Sequence, residues 1–293
     1  MTLSSVTIET ARSARPKPPG LLRLAKRHPL VIIGGGLLVL LIMLAVAAPL
    51  YAGDPVEMDP FRRLQPPSIK LLLGSDNLGR DVFARTIFGT RISLLVGLMS
   101  AACAAIGGLL IGILAGYIRA FDNVAMRIMD GLMSIPTILL AIALISLTGP
   151  GIGILIVAIA IPETPAVARL VRSVVLSVRE RFYVEAAVCG GARLPKVLWR
   201  HILPSTIPAL MVQSATVCAS AILMEAGLSF LGAGVPPEIP SWGNMIASSR
   251  LYLAIAPLTI FAPGICLAVT VLAVNLLGDG LRDTFDPRSK RSR

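Results

Sequence analysis

The chain has 293 residues, of which 55% are hydrophobic and only 15% are charged, and its mean hydropathy is +0.80. Globular proteins are about 45–50% apolar and about 25% charged, so this composition excludes an ordinary soluble domain. The net charge of +11 is scattered over separate loops, which argues against a nucleic-acid-binding surface and for contact with anionic membrane lipid.

Six apolar runs predict membrane helices, since a helix of roughly 20 residues crosses the hydrocarbon core of a bilayer. The third and fourth runs are separated only by Thr148-Gly149-Pro150-Gly151, a sequence typical of a tight turn. The predicted fold is therefore all-α, a polytopic bundle of six transmembrane helices. The predicted spans lie near 30–50, 92–117, 131–149, 152–171, 207–231 and 253–278.

The basic residues indicate how these helices are oriented. If the N-terminus is cytoplasmic, the inward-facing segments hold 20 of the 27 Lys and Arg residues, in line with the positive-inside rule. Both termini are therefore predicted to be cytoplasmic. The first apolar run is long for a cleaved signal peptide, and we interpret it as a retained helix. The predicted organisation is a cytoplasmic tail over 1–29, a first transmembrane helix over 30–50, an extracytoplasmic loop over 51–91, a five-helix core over 92–278 that includes a cytoplasmic loop over 172–206, and a cytoplasmic tail over 279–293.

The extracytoplasmic loop ends in a polar segment. Gly74-Ser75-Asp76-Asn77 predicts a turn, and Asp76, Arg80 and Asp81 are close enough along the chain to pair at the water interface. The pattern alone predicts a structured loop before the second membrane helix.

Two acidic residues fall inside predicted membrane helices, where a charge is costly and usually functional. Glu163 lies mid-membrane between Pro162 and Pro165, and Glu225 lies late in the fifth helix. Both are candidates for a transport pathway or gate. The alternatives for Glu163 are a carboxylate that caps a broken helix or one that pairs with Arg169. For Glu225 the alternatives are an interfacial helix-end carboxylate or one paired with a neighbouring subunit.

Other residues of the second and fourth helices have simpler interpretations. Arg169 and Arg172 lie at the inner end of the fourth helix and are expected to reach the lipid headgroups. Four glycines of the second helix have a spacing that allows close contact with another helix; they are Gly107, Gly108, Gly112 and Gly116.

The cytoplasmic loop carries the most informative pattern in the chain. Glu185-Ala186-Ala187-Val188-Cys189-Gly190-Gly191 is followed, after nine residues, by His201-Ile202-Leu203-Pro204. Good helix formers on either side of the glycine pair predict two short helices, over 183–188 and 194–202, with a turn between them. Pro204 marks the return of the chain to the membrane. A helix-turn-helix of this kind is suited to docking into a groove on a separate soluble protein.

No pattern of residues indicates an active site or a metal site. The only histidines, His28 and His201, exclude a His-Glu-x-x-His motif, and none of the five lysines follows a glycine, which excludes a phosphate-binding P-loop. The four cysteines lack the spacing of a metal site. If transport uses ATP, the nucleotide must therefore bind to another chain.

The loop pattern resembles the EAA loop of ABC importer permeases: Glu-Ala-Ala, three residues, Gly, nine residues, then x-(Ile/Leu)-x-Pro. Gly191 stands at the family's glycine. The segment from Gly74 to Asp81 resembles the Gly-Thr-Asp-x-x-Gly-Arg-Asp segment of the oligopeptide, dipeptide and nickel subfamily, with Ser75 for Thr. Segments 221–232, 240–243, 275–283 and 286–287 are also similar to that subfamily. Within it, the features are those of the dipeptide permease C-type subunit.

The resemblance implies the type I permease fold of ABC importers and a subunit that is not itself an enzyme. It implies inner-membrane localisation in a bacterium and partnership with a homologous second permease, two ABC ATPase subunits and an extracytoplasmic solute-binding protein. ATP and Mg would bind to the ATPase subunits, and no cofactor to this chain. The cytoplasmic loop over 185–204, which we call the coupling loop, would contact the ATPases through residues matching the family motif: Glu185, Ala186, Ala187, Gly191, His201, Leu203 and Pro204.

The cargo implied by the subfamily is a peptide or a related small solute. Nickel or another small solute remains an alternative within the same subfamily. A secondary transporter driven by an ion gradient is the alternative from another class, and intramembrane carboxylates such as Glu163 and Glu225 favour it.

Overall fold

A computed structural model of the protein describes residues 29–285. Within this range the regular structure is helical throughout, apart from one isolated bridge between Ser75 and Asp81. The predicted all-α bundle is therefore confirmed. The predicted tail over 1–29 lies outside the described residues except at its last position, and so does the end of the tail over 279–293.

The described chain contains ten α-helices, which supply five spans long and apolar enough to cross a membrane: α1, α2, α5, the run from α7 into α8, and α10. A 3-10 turn precedes α2, a π-helical turn joins α7 to α8, and a second 3-10 turn follows α9. The helices are α1 (Pro29–Tyr51), α2 (Val82–Tyr117), α3 (Arg119–Met133), α4 (Thr137–Thr148), α5 (Ile152–Arg179), α6 (Phe182–Cys189), α7 (Leu194–Val197), α8 (Leu203–Phe230), α9 (Trp242–Ser249) and α10 (Leu258–Phe285).

The sequence predicts one membrane helix over 131–149, but the structure has no continuous helix there. The chain there consists of α3 and α4, which are bent by 94° at the break between them. Pro136 explains the break, because proline has no N–H and pushes the residue before it out of the α region. With 12 residues, α4 is about 18 Å long and shorter than a hydrocarbon core of about 30 Å. Six spans are reached only if the bent pair counts as one.

The second membrane helix begins at Val82, inside the segment that was predicted as a loop over 51–91. Asp81 caps it, and its carboxylate accepts a hydrogen bond from the Phe83 N–H at 2.8 Å. The first turns of α2 carry buried polar side chains, so they do not form an apolar run and are not predicted as part of the membrane helix. Arg85, only 1% exposed, donates to the Pro55 carbonyl at 3.0 Å and holds the preceding loop against the helix.

The contact between α2 and α5 forms the centre of the bundle. Three glycines of α2, spaced four residues apart, face three valines of α5 with the same spacing, so each set lies on one face of its helix. A Cβ atom built on Gly112 would lie 2.7 Å from the Ala168 carbonyl oxygen, so the helices approach too closely for any larger residue. The glycine–valine contacts are Gly108 with Val167, Gly112 with Val171, and Gly116 with Val175.

The ends of the helices collect at two ends of the bundle. At the end that carries the coupling loop, which we call the coupling end, Arg179 Nη1 donates to the Gly116 carbonyl at 3.0 Å and joins the last turns of α5 and α2. At the opposite end, α9 packs over the start of α2 and the end of α8. Trp242 of α9 is fully buried there, and its Nε1 donates to the Thr86 carbonyl at 3.0 Å.

Candidate functional site

The turn between α6 and α7 has the geometry that the glycine pair predicts. Gly190 ends α6, and Gly191 follows with a φ of +78°, which favours glycine. The Ala192 N–H donates to the Ala187 carbonyl at 3.0 Å, and the Gly191 N–H donates to the Val188 carbonyl at 2.9 Å. These two bonds make a Schellman motif, which satisfies the last carbonyls of α6 and fixes the direction of the chain into α7.

A π-helical turn over Leu198–Ile202 joins α7 to α8. The Leu203 N–H donates to the Leu198 carbonyl across this turn. Pro204 follows at once, and its ring has no N–H and would clash with a carbonyl one turn earlier in a regular helix. The wider turn accommodates the proline, and π turns of this kind often occur at functional sites. The second short helix predicted over 194–202 is therefore continuous with the membrane helix that follows it.

The two halves of the coupling loop pack on each other and on the bundle. The ring of His201 lies 6.1 Å from that of Tyr183, centroid to centroid, so the π turn contacts α6 directly. Val184, Val197 and Ile202 are buried and join the core of the bundle. These contacts give the loop a fixed position at the coupling end, although most of its surface is exposed.

The exposed surface of this region combines apolar side chains with the family motif. Phe182 of α6 is 89% exposed and Trp199 of the π turn is 76% exposed. Glu185 and Ala186 are exposed beside them, and a groove of about 560 Å³ next to Glu185 runs between α6 and the last turns of α2 and α5. Large exposed apolar groups outside a hydrocarbon region typically mark a protein–protein contact. The sequence motif indicates the loop, but it does not include Phe182 or Trp199, the aromatic residues of the exposed surface.

The motif residues occupy different positions within this arrangement. Ala187 is half-buried and supplies a carbonyl to the turn, whereas Leu203 and Pro204 begin α8. The structure thus brings Glu185, Ala186, Ala187 and Gly191 together on α6 and its turn. It places His201 against α6, and it places Leu203 and Pro204 at the start of α8.

Arg169 and Arg172 hold α5 to α3 rather than extending to lipid as predicted. Arg172 Nη2 donates to Asp122 Oδ2 at 2.6 Å, and Arg169 pairs with Asp130. The structure differs from the prediction because α3 lies beside α5 and supplies a carboxylate to each arginine.

Glu163 lies within an unbroken helix. Helix α5 continues through Pro162 and Pro165, and the Glu163 carboxylate accepts a hydrogen bond from Ser220 of α8 at 2.8 Å. Both structural alternatives are therefore wrong, because no helix end is present to cap and Arg169 pairs elsewhere. The hydrogen bond joins α5 to α8 within the membrane region, and Glu163 remains half-buried.

Glu225 is fully buried, so it is not an exposed helix-end carboxylate, which was one of the two alternatives to a pathway or gate role. Ser93 of α2 donates to its carboxylate at 3.1 Å and Ser229 of α8 donates at 2.9 Å. The hydroxyl of Ser241, which caps α9, lies beside the carboxylate. The carboxylate therefore joins α2, α8 and α9 at the opposite end of the bundle. Burial inside this chain also leaves no exposed surface for pairing with a neighbouring subunit in this arrangement.

Metal ligands do not gather anywhere in residues 29–285, where no three His, Cys, Asp or Glu side chains are placed to hold an ion.

Comparisons with known proteins agree with the loop motif. The chain matches the family model described as binding-protein-dependent transport system inner membrane component over residues 108–291. It also matches the N-terminal TM domain of oligopeptide transport permease C over residues 21–67. The first match includes the whole coupling loop.

Several relatives align over most of the chain. The probable peptide ABC transporter permease protein y4tQ of Sinorhizobium fredii is 77% identical over 99% of this chain and 100% of its own length. The di/tripeptide transport system permease protein DppC of Pseudomonas aeruginosa is 42% identical over 89% of each chain. The glutathione transport system permease protein GsiD of Pectobacterium atrosepticum is 41% identical over 92% of this chain and 90% of its own.

A solved structure has the same fold. A chain of the MetNI methionine ABC transporter, in inward facing conformations, covers 68% of this chain and 95% of its own length with a TM-score of 0.56 and 19% identity. The predicted importer-permease fold is therefore confirmed. Since the family model spans most of the chain and relatives align almost end to end, the protein belongs to the family of binding-protein-dependent transport system inner membrane components, the permease subunits of ABC importers, and its first helix is of the oligopeptide permease C type.

Proposed function

We propose that this subunit forms part of the pathway by which an ATP-driven importer moves peptides across a bacterial inner membrane. The relatives named above are described as carriers of peptides, di- and tripeptides or glutathione, which supports a peptide as the cargo. The observation that carries the coupling mechanism is the Schellman turn at Gly191. It holds two short helices, with Phe182 and Trp199 exposed, in a fixed position at the end of the bundle.

The partners follow from this role. A homologous second permease completes the pathway, two ABC ATPase subunits bind ATP and Mg, and an extracytoplasmic binding protein delivers the cargo. The ATPases contact the coupling loop, so the coupling end and both termini face the cytoplasm. The distribution of basic residues supports this orientation.

Movement of the coupling loop reaches the far side of the membrane through α8. This helix follows the π turn without interruption and its 28 residues extend about 42 Å, so a displacement at Pro204 shifts Glu225 near its other end. The ion pairs of Arg169 and Arg172 carry the same displacement into α3. ATP drives transport only if the ATPases bind the loop differently in the two states of the bundle.

Glu163 and Glu225 have different roles in this mechanism. We assign Glu163 to the pathway, since its half-buried carboxylate and Ser220 lie between two membrane helices that must separate for cargo to pass. We assign Glu225 to the outer gate, because it bonds to Ser93 of α2 and Ser229 of α8, and lies beside the Ser241 cap of α9, at the end that faces the binding protein.

Uptake by the assembled transporter tests the coupling role. Gly191→Val places a β-branched residue at a φ of +78°, which such residues resist, and Glu185→Arg reverses the charge of the exposed motif carboxylate. We expect both variants to insert and accumulate normally while uptake of a radiolabelled dipeptide falls about tenfold or more. Gly190→Ala, at a φ of −75°, is the matched control and should retain uptake. Normal uptake with both Gly191→Val and Glu185→Arg would exclude this loop as the coupling element.

A further inference from the structure

A pocket at the opposite end of the bundle has the size of a ligand site. It has a volume of about 520 Å³, within the roughly 300–1,000 Å³ typical of small-molecule sites. Its walls come from four parts of the chain: the segment before and at the start of α2, the turn between α4 and α5, the end of α8 with the loop that follows, and α9. We call it the arginine pocket, after its charged lining residues Arg80, Arg85 and Arg250.

The arginine pocket has an excess of positive charge. No acidic side chain lines it among the residues that the structure describes. Asp76, behind the wall, pairs with Arg80 through an Nε–Oδ2 distance of 2.7 Å, and the same oxygen lies 4.0 Å from Arg85 Nε. One carboxylate therefore faces two buried guanidinium groups. Arg250, which is exposed at the rim over the ring of Phe230, adds a third positive charge.

The side chain of Arg85 does not have all of its hydrogen bonds. Its side chain is 2% exposed, and its Nη1 donates to the Pro55 carbonyl, but its buried Nε has no hydrogen-bond partner within residues 29–285. A buried cation without a full complement of counter-charge and hydrogen bonds is costly, and an anion bound beside it would lower that cost. Arg85 lines the pocket, and a buried guanidinium group with one hydrogen bond and a single shared carboxylate at 4.0 Å favours an anionic ligand beside it.

The remaining walls favour a small organic anion over a bare inorganic ion. Phe230, Leu231, Pro236 and Pro237 provide apolar surface next to the arginines. Guanidinium groups bind planar carboxylates through paired hydrogen bonds, and apolar walls accept a hydrocarbon side chain. A carboxylate that carries an apolar substituent matches both parts of the pocket.

We propose that the arginine pocket binds the free C-terminal carboxylate of a small peptide as it enters the permease. Arg85 and Arg250 hold the carboxylate, and the proline and aromatic walls contact the terminal side chain. The pocket lies next to the Glu225 cluster, since Ser229 contributes to both. Cargo at this position therefore contacts the elements that form the outer gate. This inference rests on the peptide cargo proposed above.

Binding to the assembled transporter without its binding protein tests the proposal. The probe is N-acetyl-dialanine, which has a free carboxylate and no amine, and its C-terminal amide is the matched ligand without the charge. We expect saturable binding of the acid by isothermal titration, and binding of the amide at least about tenfold weaker. Arg250→Gln should weaken binding of the acid about tenfold, since Arg250 is exposed and its loss leaves the fold intact. Arg62→Gln, an exposed arginine on the same loop region outside the pocket, should bind as the wild type does.

Several results would overturn the proposal. Equal affinity for the acid and the amide would exclude a carboxylate site, and binding of inorganic phosphate alone would exclude a peptide ligand. An Arg250→Gln defect confined to docking of the binding protein would assign the pocket to a protein carboxylate instead. Uptake of dialanine by the wild-type transporter with its binding protein is measured in parallel. Absence of uptake with intact binding of the acid would contradict the peptide cargo, whereas normal uptake without any binding of the acid would contradict the pocket alone.

Discussion

Gly191 shows how one backbone angle determines the position of a whole surface. A Cβ atom at position 191 would meet no neighbouring atom within 4 Å. Glycine is therefore favoured at this position by the φ of +78° and not by crowding. A residue with a side chain in this left-handed region costs about 1–2 kcal/mol. The angle directs α7 away from α6 and thereby sets the relative placement of Glu185 and His201.

Hydrogen exchange can measure this local cost. Gly191→Ala should open the turn about 5–30 times more often, because a loss of about 1–2 kcal/mol corresponds to that change in equilibrium. The expected result is faster exchange over peptides that contain the Ala192 N–H, read by mass spectrometry on the purified subunit. Gly190→Ala should exchange as the wild type does. Equal acceleration in both variants would mean that the left-handed angle does not hold the turn.

Glu225 provides a second prediction at the scale of a single residue. In the wild-type protein, serine hydroxyls donate to the Glu225 carboxylate. Glu225→Gln keeps the shape of the side chain but places amide hydrogens opposite these hydroxyls. We expect the contact of α9 with α2 to loosen, so that the assembled transporter hydrolyses ATP about two- to fivefold faster in the absence of the binding protein. Glu163→Gln, which alters the other membrane carboxylate, serves as the comparison and should keep the low basal rate. If Glu225→Gln changes only the charge preference among cargo peptides, Glu225 belongs to the pathway and not to the gate.

At the scale of helices, close contact between α2 and α5 forms the rigid centre of the bundle. Gly112→Ala would place a methyl group 2.7 Å from the Ala168 carbonyl oxygen, and overpacking of this kind costs about 1–3 kcal/mol. The Cβ of Gly107→Ala would meet Thr164 at an ordinary 3.5 Å, so this variant should be neutral or slightly more stable. Thermal unfolding of the purified subunit should show a lower midpoint for Gly112→Ala alone. Matching midpoints for the two variants would contradict the close helix contact.

The sequence predicted some elements well because their signals are local. The turn at Gly190-Gly191, the return of the chain at Pro204 and the close approach of the α2 glycines each follow from the conformational properties of a few neighbouring residues. The break at Pro136 and the start of α2 at Val82 were missed, because an apolar run gives no information about bends or about polar helical turns. The hydrogen bonds from Ser220 to Glu163 and from Ser93 to Glu225 join residues 57 and 132 positions apart, and no local pattern contains them.

On the scale of the whole molecule, the orientation in the membrane can be tested directly. Ser68 lies in the segment between α1 and α2, and Ser177 lies on the last turns of α5; both are exposed. In a variant without native cysteines, Ser68→Cys should react with a membrane-impermeant maleimide in intact cells, and Ser177→Cys should react only after the membrane is permeabilised. Labelling of Ser177→Cys in intact cells would reverse the proposed orientation and place the coupling end outside.

The coupling mechanism requires that an ATPase subunit rests on the coupling loop, and Cys189 offers the most direct measurement. This cysteine is exposed at the end of α6, beside the groove next to Glu185. A photo-crosslinker attached to it in the assembled transporter, with Cys103, Cys218 and Cys266 replaced by Ala, should yield an adduct with an ATPase subunit. Ser68→Cys in the same background, without Cys189, carries the crosslinker at the opposite end and should yield none. Failure of Cys189 to crosslink an ATPase in a transporter that remains active, or an ATPase adduct from Ser68→Cys instead, would contradict the account.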